Sequence, residues 1–267
     1  ELEERLGARP PHLHIGVYPL PVDKVRMLAS RVKRVVLIEE GYPFVERALR
    51  GILAPPLAVD GKENGAVPAS GELDPDSVRP VLGLPERRSI PFAGPKLPGR
   101  PPQLCAGCPH RDTFEALNRA LASYGQKIVT SDIGCYTLGF LPPYQAIETC
   151  LCMGASIGMA RGAAEMGFHP VVATIGDSTF IHSGLTALAD AAAADVPMTL
   201  VILDNSTTAM TGGQATLLPS ERLPELVRAL GVEPAHIRVI NPLKKHTEEN
   251  ARILREEIEH SGVSVVI

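Results

Sequence analysis

Two hydrophobic rhythms organise this chain. Residues 12–18 alternate apolar and polar positions, the period of a half-buried strand, and residues 21–32 carry apolar positions at helical spacing. Residues 34–39 contain the buried-strand run Val-Val-Leu-Ile, and residues 42–50 turn helical again. That order of strand, helix, strand, helix is the signature of a parallel sheet. From 53 to 103 the periodicity fades among Pro, Gly and charged residues, which predicts long loops ending in a linker over 94–103.

A second unit follows. Phe114, Leu117, Ala120 and Leu121 give a helix over 110–124 with Gly125 as its stop, and 127–130 is a short strand. Residues 150–167 predict a helix rich in Ala, Gly, Ser and Met, in which Gly154, Gly158 and Gly162 recur every four residues. Glycine weakens a helix, so the row predicts close approach of another backbone, at an interface or in the core of this chain. Continuous apolar strands at 171–175 and 199–203 are joined by a helix over 181–194, and strands at 237–240 and 263–267 bracket a charged helix at 246–260. The expected class is α/β, with open, mostly parallel sheets and helices on both faces, in two domains at 1–100 and 101–267.

Composition narrows the partners. At 267 residues, 45% hydrophobic and 21% charged, the chain is an ordinary globular one, and sixteen of its 25 prolines fall before residue 103, which sets a loop-rich first part against a regular second. Formal net charge is −4 and no basic face is visible, which argues against nucleic acid. Without a run long enough to span a bilayer, and without a signal peptide's basic-then-apolar start, a cytoplasmic protein with no membrane partner is expected. The sequence begins without Met and stops on an apolar run, so it reads as a fragment of a longer polypeptide. Cys105, Cys108, Cys135, Cys150 and Cys152 lie within 48 residues, a cluster pointing to metal or redox chemistry rather than structural disulfides.

The chemistry concentrates at two strand ends. The strand at 171–175 runs into Gly176-Asp177-Ser178 at the start of a helix, and the next strand ends in Asp204-Asn205. Consecutive parallel strands bring their carboxyl ends to one rim, so Asp177 and Asn205 should face each other. A carboxylate, an amide oxygen and a nearby backbone carbonyl suit Mg²⁺, which keeps phosphate oxygens and water in the rest of its shell, and a helix start favours phosphate. Helix capping by Asp177 and a turn at Asn205 would account for either residue alone, but not for the coupled pair.

This spacing resembles the thiamine-diphosphate fingerprint, usually Gly-Asp-Gly followed one β–α unit later by Asn, with Ser178 in place of the last Gly. The segment TAMTGGQAT at 208–216 is similar to the one that follows the fingerprint in ferredoxin-dependent 2-oxoacid oxidoreductases. CAGCPHR (105–111), SDIGCYTLGFLPP (131–143) and ETCLCMGASIGMA (148–160) resemble the alpha subunits of the indolepyruvate branch of that family, and Cys150, Cys152 and Met153 favour it over the pyruvate and oxoglutarate branches. The resemblance is strong over 103–267; the first hundred residues resemble only loosely part of a transketolase C-terminal-like domain.

The resemblance implies a thiamine-diphosphate-binding fold in which Asp177, Asn205 and the carbonyl of Thr207 hold Mg²⁺. Gly134, Cys135, Met153, Gly154, Gly176, Ser178 and Thr211 would line the cofactor, Gly134 and Cys135 on its thiazolium side and Met153 and Gly154 near its aminopyrimidine. The implied activity is oxidative decarboxylation of arylpyruvates such as indolepyruvate, with CoA taking the acyl group and electrons leaving one at a time through [4Fe-4S] clusters to ferredoxin. A beta subunit, an oligomeric assembly, a cluster-bearing tail and an activating glutamate on another domain are implied as well, and the fragment alone should be inactive. Another 2-oxoacid ferredoxin oxidoreductase, or a non-oxidative arylpyruvate or sulfopyruvate decarboxylase, is the alternative.

Cys105 and Cys108 form C-x-x-C, open to iron–sulfur, zinc or redox roles; in relatives they and the equivalent of Cys135 hold a cluster whose fourth cysteine has no counterpart here, and small packing residues is the plain alternative. His182 is a candidate for facing substrate, although a single His early in a helix, like His110, is more commonly a surface or packing residue. Glu148 is not adopted as the activating acid, because the family places that group on another domain.

Overall fold

The computed structural model describes residues 2–53, 56–87, 94–95 and 98–267; residues 96 and 97 of the expected linker lie outside them. The chain divides into two compact units, Glu1–Leu97 and Pro98–Ile267.

In the first unit, helix α1 (Leu2–Leu6) and helix α2 (Val22–Ala29) precede strand β1 (Arg34–Val36), helix α3 (Phe44–Leu49) and strand β2 (Ala58–Asp60). β1 and β2 pair in parallel, Val35 opposite Val59. The strand expected over 12–18 does not form. Its apolar positions Leu13 and Ile15 instead pack as irregular chain against Val25, Val45 and Leu49, so the alternation reports one-sided burial without a partner strand. β2 falls where only loops are expected, between Pro-rich stretches whose composition masks a three-residue strand.

The second unit is built on helix α4 (Pro109–Leu121), strands β3 (Ile128–Ser131) and β4 (Thr149–Cys150), helix α5 (Ala155–Glu165), strand β5 (Val171–Gly176), and the short helix α6 (Asp177–Thr179), which runs through a π-turn at Phe180–Gly184 into α7 (Leu185–Ala194). Strand β6 (Met198–Leu203), the two-residue hairpin strands β7 (Thr207–Thr208) and β8 (Gln214–Ala215), helix α8 (Leu223–Ala229), strand β9 (Ile237–Arg238), helix α9 (Thr247–Ile258) and strand β10 (Val263–Val266) complete it. Six strands form one parallel sheet in the order β4-β3-β5-β6-β10-β9.

The continuous apolar runs follow from burial on both faces. Val171, Ala173 and Ile175 of β5 join Leu200 and Ile202 of β6 and helices α5, α7 and α8 in one core. Val172 and Val201, on the opposite pleat, join Phe114, Leu117 and Leu121 of α4 and Leu254 and Ile258 of α9 in the other. Buried hydroxyls within the strands pair with each other, as Thr174 Oγ1 does in donating to Ser131 Oγ at 2.8 Å, and among the described residues no buried side-chain polar atom lacks a partner.

One expected boundary moves. The helix expected from 150 starts only at Ala155, because Thr149 and Cys150 pair with β3 and Gly154 adopts φ +87°, a left-handed conformation that breaks any helix through it. Gly158 and Gly162 are exposed, and a Cβ on either would meet nothing within 4 Å, so close packing inside this unit does not explain these two members of the row.

The strand order sets the site. The chain steps outward from β3 to β4 and then returns to the far side of β3 as β5, so the strand order reverses at β3 and β5, where open α/β sheets bind ligands at the carboxyl ends. Leu200 is fully buried at the centre of β6. Leu200→Ala should destabilise the chain by about 2–5 kcal/mol, read as a lowered midpoint in chemical denaturation; an unchanged midpoint would show that the sheet is not the centre of stability.

Candidate functional site

The register of β5 against β6 pairs Gly176 with Leu203, so Asp177 and Asp204 leave the sheet side by side. Asp177 is 4% exposed. Its Oδ1 accepts the Ser178 N–H at 2.6 Å and its Oδ2 accepts the Asn205 N–H at 3.2 Å, so the two strand ends are joined through this carboxylate. Asn205 Oδ1 in turn accepts the Thr207 N–H at 3.1 Å, and Ser178 Oγ lies 2.8 Å from Thr208 Oγ1. The fingerprint residues Asp177, Ser178, Asn205 and Thr207 therefore meet at one point, with Gly176 immediately behind them.

Burial is the chief cause that raises the Asp177 carboxyl above the ordinary aspartate value; the Ser178 and Asn205 N–H groups lower it and Asp204, in hydrogen-bonding contact, raises it further. Two bare carboxylates do not hold such contact without a proton or a cation between them. The carboxyls of Asp177 and Asp204, the Asn205 amide oxygen and the Thr207 carbonyl fit a hard divalent cation, and the helix start at Asp177 suits an anion beside it.

The neighbouring strand ends bring in the other expected residues. Asp132, fully buried just beyond β3, accepts both the N–H and the hydroxyl of Ser156 at 2.7 Å, and the N–H groups of Gly154 and Ala155 also reach it. It fixes the start of α5 and the Met153–Gly154 turn before it. A Cβ on Gly154 would stand 2.5 Å from Ser183 Oγ, so this turn lies against the π-turn that follows Asp177. His182 lies in that π-turn with its side chain exposed. Gly134 and Cys135 open the 3₁₀ segment Cys135–Phe140 beyond β3, while Thr211 sits at the exposed tip between β7 and β8, its hydroxyl 2.8 Å from Gln214 Oε1.

Tyr136 explains two of the glycines. Its ring lies 2.2 Å from where a Cβ on Gly134 would stand and 2.6 Å from one on Gly176. Glycine is required at both places by this buried ring, whose hydroxyl is pushed up to about 12 by burial. Asp132, Tyr136, Asp204 and Thr208 are absent from the residues singled out on sequence. A signal existed for Asp132 and Asp204, each a carboxylate directly after a strand, as Asp177 is; Tyr136 had only its place within SDIGCYTLGFLPP.

All five cysteines are free thiols. Cys108 caps α4, His110 is buried in its first turn with Nε2 3.4 Å from Cys135 Sγ, and burial holds the imidazole below its ordinary value. Burial raises the Cys135 thiol, and the nearby Cys108 and Cys105 raise it further. Cys105 and Cys108 thus lie near enough to Cys135 to raise its thiol, but among the described residues the three sulfurs do not converge to within 4.8 Å of one another. Glu148 turns its carboxylate to the Val129 N–H at 2.7 Å, completing the edge of β3. Exposed apolar side chains, Ile133, Leu151, Met153 and Met210, project from these strand-end loops.

Residues 132–267 match the family model described as thiamine pyrophosphate enzyme, C-terminal TPP binding domain. Indolepyruvate oxidoreductase subunit IorA of Archaeoglobus fulgidus is 37% identical over 290 residues, covering 100% of this chain and 45% of the relative. The protein of the same name from Methanothermobacter thermautotrophicus is 40% identical over 286 residues, covering 99% of this chain and 46% of the relative. The chain spans about half the length of the curated relatives it matches. Among solved structures, a 2-oxoglutarate:ferredoxin oxidoreductase from Magnetococcus marinus, with 2-oxoglutarate, coenzyme A and succinyl-CoA bound, shares the fold at a TM-score of 0.51 and 19% identity, over 62% of this chain and 63% of that one. Among the described residues no helix is long and apolar enough to cross a membrane.

Two measurements probe this geometry. Because burial raises the folded-state pKa of Asp177, its share of stability is fully present below the ordinary value of 3.8 and is lost as pH rises through the higher folded-state value. In EDTA, chemical denaturation of Asp177→Asn and the parent should therefore shift in the variant's favour between acid and neutral pH; a difference that does not vary with pH would contradict the buried charge. Gly154→Ala must place a side chain at φ +87° against Ser183, and should cost at least about 1–2 kcal/mol in the same assay.

Proposed function

The chain belongs to the thiamine pyrophosphate enzymes, and from that premise we propose that it supplies the diphosphate and metal half of the cofactor site in a ferredoxin-dependent arylpyruvate oxidoreductase. The observation that carries this reading is the junction of Asp177, Asn205 and Thr207 beside a helix start at the strand-order reversal. Likeness along the whole chain to proteins named indolepyruvate oxidoreductase subunit supports an arylpyruvate, indolepyruvate foremost, as substrate.

Thiamine diphosphate, when bound, supplies the electron sink for loss of CO₂ from a 2-oxoacid. The chain's own residues would hold and shield it. Asp177, Asn205 Oδ1 and the Thr207 carbonyl would ligate Mg²⁺, which relieves the contact between the Asp177 and Asp204 carboxyls. The helical run from Asp177, with Ser178 tied to Thr208, would favour the diphosphate through the partial positive charge of its start. Met153 and Gly154, set by Asp132, would support the aminopyrimidine, and Gly134 and Cys135 the thiazolium side. The exposed apolar loops around them give an aromatic side chain a surface to bury, and Thr211 and His182 stand at its margin.

CoA as acyl acceptor, ferredoxin as electron acceptor through [4Fe-4S] clusters, and a beta subunit in a larger assembly complete the proposal. Cys105 and Cys108 lie near Cys135 beside the cofactor rim, and iron analysis of protein prepared anaerobically decides whether they hold one of those clusters.

Calorimetry of the intact protein with thiamine diphosphate and Mg²⁺ tests the site. Asp177→Ala should weaken Mg²⁺-dependent binding on the order of 100-fold, roughly the 3 kcal/mol of a strong charged contact; binding as tight as the parent's would remove Asp177 from the metal. Reduction of a viologen dye by indolepyruvate and CoA tests the reaction, and aldehyde release without dye reduction would favour a non-oxidative decarboxylase instead.

A further inference from the structure

The amino ends of two other strands of the same sheet carry a second cluster. Glu233 and His236 flank the 3₁₀ turn Pro234–His236 that leads into β9, and His260 lies in the link from α9 to β10. One ligand atom from each of Glu233, His236 and His260 lies within 4.8 Å of the other two. The imidazoles stack face to face, with centroids 3.4 Å apart and planes 13° apart, and both are partly buried while Glu233 is exposed.

A buried carboxylate backs this group. Glu257, 3% exposed, places Oε2 2.9 Å from His236 Nδ1, which puts the proton on Nδ1 and leaves Nε2 a lone pair directed away from Glu257. Arg238 Nη1 donates to Glu257 Oε1 at 3.0 Å and holds the carboxylate, while the Glu257 backbone carbonyl accepts the Thr199 and Ser264 hydroxyls at 3.2 and 3.0 Å, which ties this turn of α9 to the sheet. Asp195 shares the edge. A Cβ on Gly262 would stand 2.5 Å from Asp195 Oδ1 and 2.9 Å from His260 Nε2, so glycine there leaves both groups their room. Glu233, Glu257 and Asp195 outnumber the guanidinium of Arg238, which also approaches Glu256 at 3.8 Å, and this balance favours a dication.

We propose that Glu233, His236 and His260 bind a borderline divalent transition-metal ion of the zinc class, with Glu257 as the carboxylate that orients His236. Two imidazole nitrogens and one carboxylate oxygen form a donor set that suits zinc and not Mg²⁺, and three protein ligands leave a fourth position for water. Bonds of about 2.0–2.1 Å bring tetrahedral donors to about 3.4 Å from one another, so side-chain rotation closes the present spacing. The ion would tie the segment before β9 to the segment before β10. It would sit at the amino ends of β9 and β10, across the sheet from the carboxyl end of β5 that carries Asp177, and so act on the frame and not on the cofactor.

Zinc titration of the intact protein after chelation, read by bound zinc and by zinc K-edge X-ray absorption, tests the site. A nitrogen and oxygen shell at about 2.0–2.1 Å with imidazole scattering is expected. Glu233→Gln, an exposed change that does not threaten folding, should weaken binding at least about tenfold, and Glu257→Gln should do so by about 10–100-fold, while Asp177→Ala leaves it unaltered. A sulfur shell near about 2.3 Å would move the ion to the cysteines and overturn the assignment. Zinc affinity unaltered by Glu233→Gln and by His260→Ala, or lost with Asp177→Ala, would overturn it equally.

Discussion

The in-register pairing of β5 with β6 is the constraint on which the candidate site depends. It delivers Asp177 and Asp204 to the rim as neighbours and lets one carboxylate receive N–H groups from both strand ends. A shift of one residue would send Asp177 to the other face and separate it from Asn205. The register is in turn enforced from both sides of the sheet, because Ile175 and Ile202 face one set of helices while Val172 and Val201 face the other. Charge is thus gathered at a place the apolar core holds rigid, and the repulsion this creates is what the proposed Mg²⁺ would relieve.

Around that junction, buried polar groups do the positioning. Asp132 holds α5 by its first N–H groups, which sets the left-handed turn at Gly154 against Ser183. The Tyr136 ring fills the space beneath Gly134 and Gly176 and leaves no volume for a side chain there. Glycines in this region thus serve two needs: Gly154 answers a backbone conformation, whereas Gly134 and Gly176 answer the bulk of a neighbouring ring. The second need leaves no mark in the local sequence, because the ring of Tyr136 reaches Gly176 only through the fold.

The parallel sheet also separates two chemistries by the length of its strands. Carboxylate, amide and carbonyl oxygens meet at the carboxyl ends, where helix starts and their N–H groups converge. Imidazoles and carboxylates meet at the amino ends beside Glu257. Hard oxygen donors and borderline nitrogen donors suit different ions, so the two rims need not compete for one metal.

Much of this was legible in the amino-acid sequence. Continuous apolar runs marked β5 and β6, since strands buried on both faces leave no polar alternation, and the carboxylate and amide placed directly after them marked the rim. Local pattern failed where the deciding contact is remote. The alternation at 12–18 records packing on α2 and α3 and not a ladder, β2 hides in Pro-rich chain, and the helix start at Ala155 is set by Asp132, more than twenty residues earlier. The sequence by itself determined which residues could carry charge, ligate or break a helix, because those are properties of the side chain and its neighbours along the chain. Only the tertiary structure decided that Asp177 touches Asp204, that Tyr136 claims the space at Gly134 and Gly176, and that Glu233, His236 and His260 come together, because each of these follows from strand register and order, which bring distant residues into contact.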